Sequence, residues 1–207
     1  MKALIIIDIQ NDFLPGGALA VNKGDEVIPV INKLQGNDYF DLIAATQDWH
    51  PQNHGSFASN HPGKKQFDKT LLGGLEQILW PDHCVQETSG AEFSAKLDTK
   101  KIEAIFRKGM DPDIDSYSGF FDNGKRKETG LAAFLKGRNI KEVFLAGLAG
   151  DFCVYFSALD SADYGFKTYF IEDAVRSIDI SNFEKTVKKN LIDKNISIIS
   201  SIDISFR

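Results

Sequence analysis

The chain has 207 residues, 43% of them hydrophobic and 26% charged, with a formal net charge of −5. These values suit a folded, water-soluble protein with one sizeable domain over residues 1–207. The acidic balance gives no footing for nucleic acid or an anionic membrane surface, and two cysteines are too few for a disulfide framework and fit a reduced, cytoplasmic setting.

Ala3–Ile7 is a continuous branched run. It is too short to span a bilayer and no small-residue cleavage site follows it, so it is predicted as a buried parallel strand. Asp25 is placed to cap a helix that runs through Gln35 and closes at Gly36. Phe40–Thr46 is the second predicted strand. Ala91–Leu97 is a short helical candidate, and Ile102–Arg107 is the third strand. Lys127–Arg138 is predicted helical, followed by a fourth strand at Glu142–Gly147, a helix at Phe152–Tyr164 and a fifth strand at Lys167–Ile171. Ser181 is placed to cap a helix to Lys194, ahead of a sixth strand at Ile196–Ser200. This alternation implies three layers, α/β/α, around a six-stranded, mainly parallel, Rossmann-like sheet. Two segments break the pattern: Asp48–Ser89, which holds all four histidines, and Lys108–Lys125. Their aromatic residues argue for order, and long ordered loops in compact domains are usually functional.

Ligands of open parallel sheets bind beyond the carboxyl ends of the strands. Asp8, Asp48 with His50, Lys108 and Cys153 follow the first four predicted strands. Each alone fits a cap, a turn or a solvated charge. Together they place an acid, a base and a thiol on one sheet edge. Cys153 opens a predicted helix, where the helix dipole can lower a thiol pKa below its usual ~8.5. Asp48 and His50 present a carboxylate and an imidazole two residues apart, and one more histidine would complete a metal-binding face with room for water. Spacing allows His54, His61 or His83 as that third ligand. Trp80 and Phe13 offer flat apolar faces suited to an aromatic ligand.

Six segments, in this order, carry a resemblance: Leu4–Phe13 (LIIIDIQNDF), Thr46–Pro51 (TQDWHP), Trp80–Val85 (WPDHCV), Phe106–Gly109 (FRKG), Asp115–Phe120 (DSYSGF) and Gly147–Val154 (GLAGDFCV). Across nearly its whole length the chain resembles the cysteine hydrolases of the isochorismatase-like superfamily, and within it the nicotinamidases. The resemblance implies an isochorismatase-like fold, a catalytic triad of Asp8, Lys108 and Cys153, and metal ligands Asp48, His50 and His83. It implies a ring pocket lined by Phe13, Trp80 and Tyr117. It also implies a cis peptide at Leu148–Ala149, with the Ala149 and Cys153 N–H groups forming an oxyanion hole. Some relatives carry a further histidine ligand; direct counting from His50 puts Ser56 at that position, with His54 two residues earlier. Gly150 stands where a larger residue is common, with little consequence expected.

The implied activity is hydrolysis of nicotinamide to nicotinate and ammonia through a cysteine thioester, in NAD salvage, with pyrazinamide as a side substrate. One carboxylate and two imidazoles suit a single divalent ion: zinc first, with iron or manganese also accommodated. Other amide or carbamoyl hydrolases of the superfamily, N-carbamoyl amidases and ureidoacrylate-type enzymes, share the triad but generally lack the Asp-x-His and Trp-Pro-x-His elements. A non-catalytic nicotinamide-binding protein would have no need of the intact triad. No surface stripe defines an interface, so self-association as a homo-oligomer stays open.

Overall fold

Each strand of the main sheet begins where a run of branched or small apolar residues begins, and the pleat then sorts that run onto two faces. In a computed structural model describing residues 1–36 and 38–204, β1 (Lys2–Ile7) lies in the interior of the sheet, and Ala3 through Ile7 are all fully buried. Its neighbours are β2 (Leu42–Asp48) and β6 (Glu142–Leu148). The six strands run in the order β5-β2-β1-β6-β7-β8, where β5 is Ala104–Lys108, β7 is Lys167–Arg176 and β8 is Ser197–Ile199. Every pairing is parallel.

Leu4 and Ile6 face one core, where α1 (Val27–Gln35) contributes Ile28, Ile31 and Leu34. Ala3, Ile5 and Ile7 face the other. That core is covered by Leu131 and Leu135 of α2 (Leu131–Gly137), Val154 and Ala158 of α3 (Cys153–Asp163), and Leu191. Leu191 belongs to a helical segment made of α4 (Ile180–Asn182), a π-helical turn (Phe183–Val187) and α5 (Lys188–Asp193). These are the three predicted layers. No helix among the described residues is long and apolar enough to cross a membrane.

Several local expectations fail for identifiable reasons. Ala91–Leu97 is not helical beyond a 3-10 turn at Ser89–Ala91. The segment is drawn out alongside residues 9–11: Asn11 N–H donates to Glu92 O and Ser94 N–H to Ile9 O, and Gln10 bridges Phe93. Tertiary pairing overrides helix propensity there. Asp25 lies inside a 3-10 turn (Gly24–Glu26) and caps nothing with its side chain, and Gly36 keeps a right-handed φ of −70°. Asp179, not Ser181, is the N-cap of α4, accepting the Asn182 N–H at 3.0 Å. The second and third strands start two residues later than predicted, at Leu42 and Ala104, and β7 continues five residues past Ile171 through an irregularity in its pairing with β6. The Asp48–Ser89 segment contains an unpredicted hairpin of β3 (Lys69–Leu72) and β4 (Leu75–Ile78).

Candidate active site

The strand register brings the charged residues together. Asp48 and Lys108 are direct partners at the ends of β2 and β5, while Asp8 follows Ile7 at the end of β1 and the loop to Cys153 leaves β6 after Leu148. Lys108 Nζ lies 2.9 Å from Asp8 Oδ2 and 2.9 Å from Asp48 Oδ1, with all three side chains buried. It donates to Asp48 Oδ1, to Ser116 O at 3.1 Å and to Cys153 Sγ at 3.5 Å. Asp8 Oδ1 accepts the Thr46 hydroxyl at 2.7 Å. Its Oδ2 sits within ion-pair distance of Lys108 but is not aligned as a hydrogen-bond acceptor, and it is fully buried.

The charges settle one another. Burial raises the Asp8 pKa, against the pull of Lys108. Burial pushes Asp48 the same way, but His50 and Lys108 outweigh it and hold that carboxyl well below the usual range. Burial alone would lower the Lys108 pKa; Asp48 and Asp8 reverse this and raise it well above an ordinary lysine. Cys153 does not behave as its helix position suggests. Burial, helped by the two carboxylates and opposed by Lys108, holds the thiol pKa well above its usual value. Burial thus favours the thiol over the thiolate at Cys153.

Cys153 is the first residue of α3, reached through a loop whose Leu148–Ala149 peptide is cis. Among the described loop and side-chain hydrogen bonds, the Ala149 and Cys153 N–H groups have no acceptor. Gly150 matters more than its sequence suggests. A Cβ there would meet Val175 Cγ1 at 2.5 Å and Ser177 Oγ at 2.6 Å, so a larger residue would have to displace both.

His83, not His61, joins Asp48 and His50. Their ligand atoms lie within 4.8 Å of one another, and all three are buried. His50 Nδ1 is 2.8 Å from Gly109 O and His83 Nδ1 is 2.8 Å from Pro81 O. A carbonyl only accepts, so both Nδ1 atoms donate, and each ring is thereby turned with its Nε2 toward Asp48. Those two Nε2 atoms lie 3.0 Å and 3.5 Å from Asp48 Oδ2. One carboxylate and two imidazoles whose Nε2 atoms converge on it fit a single divalent ion. His61 is spent on a hydrogen bond between its Nε2 and Gly55 O. His54 packs against His50, its Nδ1 2.7 Å from Ser56 Oγ and its Nε2 buried without a partner. Burial, then His50, lowers its pKa to about 4, so it is a neutral imidazole.

Gly109 was legible only as part of a motif. Its φ is +68°, and a Cβ would lie 2.3 Å from His50 Cε1. Gly109→Ala is expected to tilt the His50 ring off its carbonyl and weaken divalent-metal affinity about 10- to 100-fold. Competition with a chelator would measure this. Unchanged affinity would mean that the Gly109 contact does not orient the ring.

Between Cys153 and the Asp48–His50–His83 group lies a narrow cavity lined by Phe13, Trp80 and Tyr117, and also by Leu19, Phe152 and Ile178. Phe152 meets Trp80 edge to face, ring centres 4.9 Å apart, and Phe13 meets His83 the same way at 5.6 Å. Tyr117 is fixed at its hydroxyl by Trp80 Nε1 (3.3 Å) and Gln77 Nε2 (3.1 Å), the latter on the hairpin strand β4. Leu19 and Ile178 come from segments far apart in the chain with no motif to mark them. Phe152, next to Cys153, was the one a reading of the nucleophile loop could have found. A wider surface cleft bordered by Met110 and Lys127 does not reach Cys153.

The isochorismatase domain profile matches residues 2–203. The chain belongs to the isochorismatase family, and within it to the nicotinamidase group. It is 46% identical to the nicotinamidase of Acinetobacter baylyi over 202 residues, which cover 98% of this chain and 94% of that protein. Among solved structures, a nicotinamidase/pyrazinamidase of Acinetobacter baumanii superposes with a TM-score of 0.94 at 44% identity, covering 99% of this chain and 98% of that one. The pyrazinamidase of Pyrococcus horikoshii, solved in complex with zinc, superposes at 0.76 with 38% identity, covering 96% and 98% of the two chains. Family membership and the geometry of the sheet edge thus agree.

Proposed function

We propose that this protein is a nicotinamidase: it hydrolyses nicotinamide to nicotinate and ammonia through a thioester on Cys153, and it also acts on pyrazinamide. The observation that carries this reading is the buried contact of Lys108 with Asp8, Asp48 and Cys153, set at the floor of a small aromatic pocket. The near-full-length identity to nicotinamidases supports it. The pocket supplies ring recognition, and the edge supplies amide chemistry. NAD salvage in the cytoplasm is the setting that such an activity serves.

The substrate ring lies between Phe13 and Trp80, with its carboxamide over Cys153. Asp8 takes the thiol proton as sulfur attacks the amide carbon. The negative charge that develops on the carbonyl oxygen is met by the Ala149 and Cys153 N–H groups. Asp8 passes the proton to the amine nitrogen, the C–N bond breaks, and ammonia leaves a thioester. Asp8 then removes a proton from water as its oxygen attacks the thioester carbon; the C–S bond breaks, and the proton returns to sulfur. Lys108 keeps the local charge balanced throughout, holding Asp8 ionised before each proton transfer.

Asp48, His50 and His83 would hold the metal, zinc in the first instance, since the Pyrococcus horikoshii relative was solved with zinc; iron or manganese suits the same donors. When bound, such an ion supplies Lewis acidity beside the pocket, to a ring nitrogen or to water. His83→Ala is expected to remove one of the three ligands and leave the purified protein with well under one equivalent of metal by elemental analysis. A full complement in that variant would show the ligand assignment to be wrong. The activity itself is tested by ammonia release from nicotinamide, with an N-carbamoyl amino acid as the competing substrate. Preferential turnover of the carbamoyl compound would replace this reading with the carbamoyl-hydrolase one.

A further inference from the structure

The segment Val175–Asp179, at the end of β7, is fastened to the nucleophile loop. Gly150 N–H donates to Arg176 O at 2.8 Å. The Asp151 carboxylate, only 3% exposed, accepts the Ile178 N–H on Oδ1 at 3.0 Å and the Asp179 N–H on Oδ2 at 2.7 Å. Asp151 stands two residues before Cys153 and 27 before Ile178, so one buried side chain fixes a distant loop relative to the nucleophile. A buried carboxylate is costly unless both oxygens are occupied, and here each takes one backbone donor.

What this fastening positions is a wall of the ring pocket. The inner end of the cavity is closed by buried groups, among them Phe13, His83 and Cys153. Three lining residues are only partly buried and therefore form its mouth: Tyr117, Phe152 and Ile178. Tyr117 and Phe152 brace each other, with ring centres 5.4 Å apart, and both lean on Trp80. Ile178 packs against the same core as Phe13 and Trp80, and its backbone is held by Asp151. A substrate larger than one ring, with its carboxamide over Cys153, has to grow toward this mouth.

We infer that Ile178, held in place by Asp151, is the specificity-determining residue that restricts the pocket to carboxamides on a single aromatic ring. The inference rests on the proposed amidase function and adds to it the limit on substrate size. Ile178 is the specificity residue, and Asp151 is a positioning residue that acts through it.

The test compares kcat/KM for nicotinamide and for a bicyclic amide, quinoline-3-carboxamide, in the metal-loaded protein. Ile178→Ala is expected to raise the bicyclic-to-nicotinamide ratio at least ~10-fold, the scale on which a few methylene groups discriminate in an apolar pocket. Asp151→Asn keeps the volume but turns an amide N–H₂ toward one of the two backbone donors. It is expected to shift the ratio in the same direction with kcat for nicotinamide little changed, and the double variant is expected to go no further than Ile178→Ala. A purely structural Asp151 would lower both activities together and leave the ratio fixed. An unchanged ratio in Ile178→Ala, with nicotinamide turnover intact, overturns the inference while leaving the amidase function standing. Wild-type protein inert toward nicotinamide would instead overturn the function, and this inference with it.

Discussion

Cys153→Ala is expected to abolish ammonia release from nicotinamide, lowering kcat by ~10⁴-fold or more, while the variant still binds the amide. The size follows from the number of roles that meet at one sulfur. In the proposed mechanism it is the attacking atom, it carries the acyl group, and its proton is the one that Asp8 moves. Groups that act as a unit fail as a unit, so loss of the nucleophile alone removes nearly the whole covalent route. Binding is expected to survive because the ring contacts come from Phe13, Trp80 and Tyr117, none of which packs through the sulfur. Trp80 lies in the pocket and edge to face with Phe152, so its fluorescence reports occupancy without turnover. Substantial turnover by the variant would mean that the nucleophile is water and that the thioester does not form.

Lys108→Met is the second large effect, and it falls on stability as well as activity. The lysine is fully buried at its side chain, 2.9 Å from each of two carboxylates. Methionine keeps the length and removes the charge, leaving Asp8 and Asp48 buried with no lysine between them. Breaking a buried ion pair from one side typically costs about 3–5 kcal/mol, which for a protein of this size lowers Tm by roughly 6–20 °C. Added divalent metal is expected to recover part of the loss, because an ion on Asp48, His50 and His83 offsets one of the two carboxylates. Activity is not expected to return with it, since Asp8 would remain protonated and unable to act as the base. Thermal unfolding with and without metal checks both statements. A variant as stable as wild type without metal would mean that the three charges do not form the balanced group inferred from their distances and pKa directions.

What the chain revealed in advance was set by local pattern. The buried runs of β1 and β6 announce themselves because both faces of an interior parallel strand are apolar, and the residues just beyond those runs then mark the reactive edge. Asp8 was legible for that reason, Asp48 and Lys108 because they close the apolar runs of β2 and β5, and Cys153 because it opens the helix after β6. The choice among His54, His61 and His83 was not legible from spacing, since it depends on how a 42-residue segment (48–89) folds back over the sheet. Only the family resemblance pointed to His83, and the backbone carbonyls of Gly109 and Pro81 show why its ring and that of His50 face Asp48.

Other features were hidden because their cause is long-range. Ala91–Leu97 has the local make-up of a helix, yet Ile9, Gln10 and Asn11 pull it into extended pairing. The elevated thiol pKa of Cys153 reflects its burial first and the nearby carboxylates second, neither of which a helix-dipole argument counts. Gly150 passed for an inconsequential substitution until Val175 and Ser177 were seen to occupy the space a side chain would need. Ile178 and Asp151 lie 27 residues apart and have no motif in common. In each case the missing information is which distant segment arrives, not which residue is present.

The central claim is that Cys153 carries an acyl group derived from nicotinamide, and trapping that group tests it most directly. Metal-loaded protein is given nicotinamide together with hydroxylamine, and the products are separated by chromatography. A thioester partitions between water and the stronger nucleophile, so nicotinohydroxamate is expected to form at the expense of nicotinate, in step with ammonia release. Nicotinamide left unconsumed, or ammonia released with nicotinate as the sole acyl product at every hydroxylamine concentration, would contradict it.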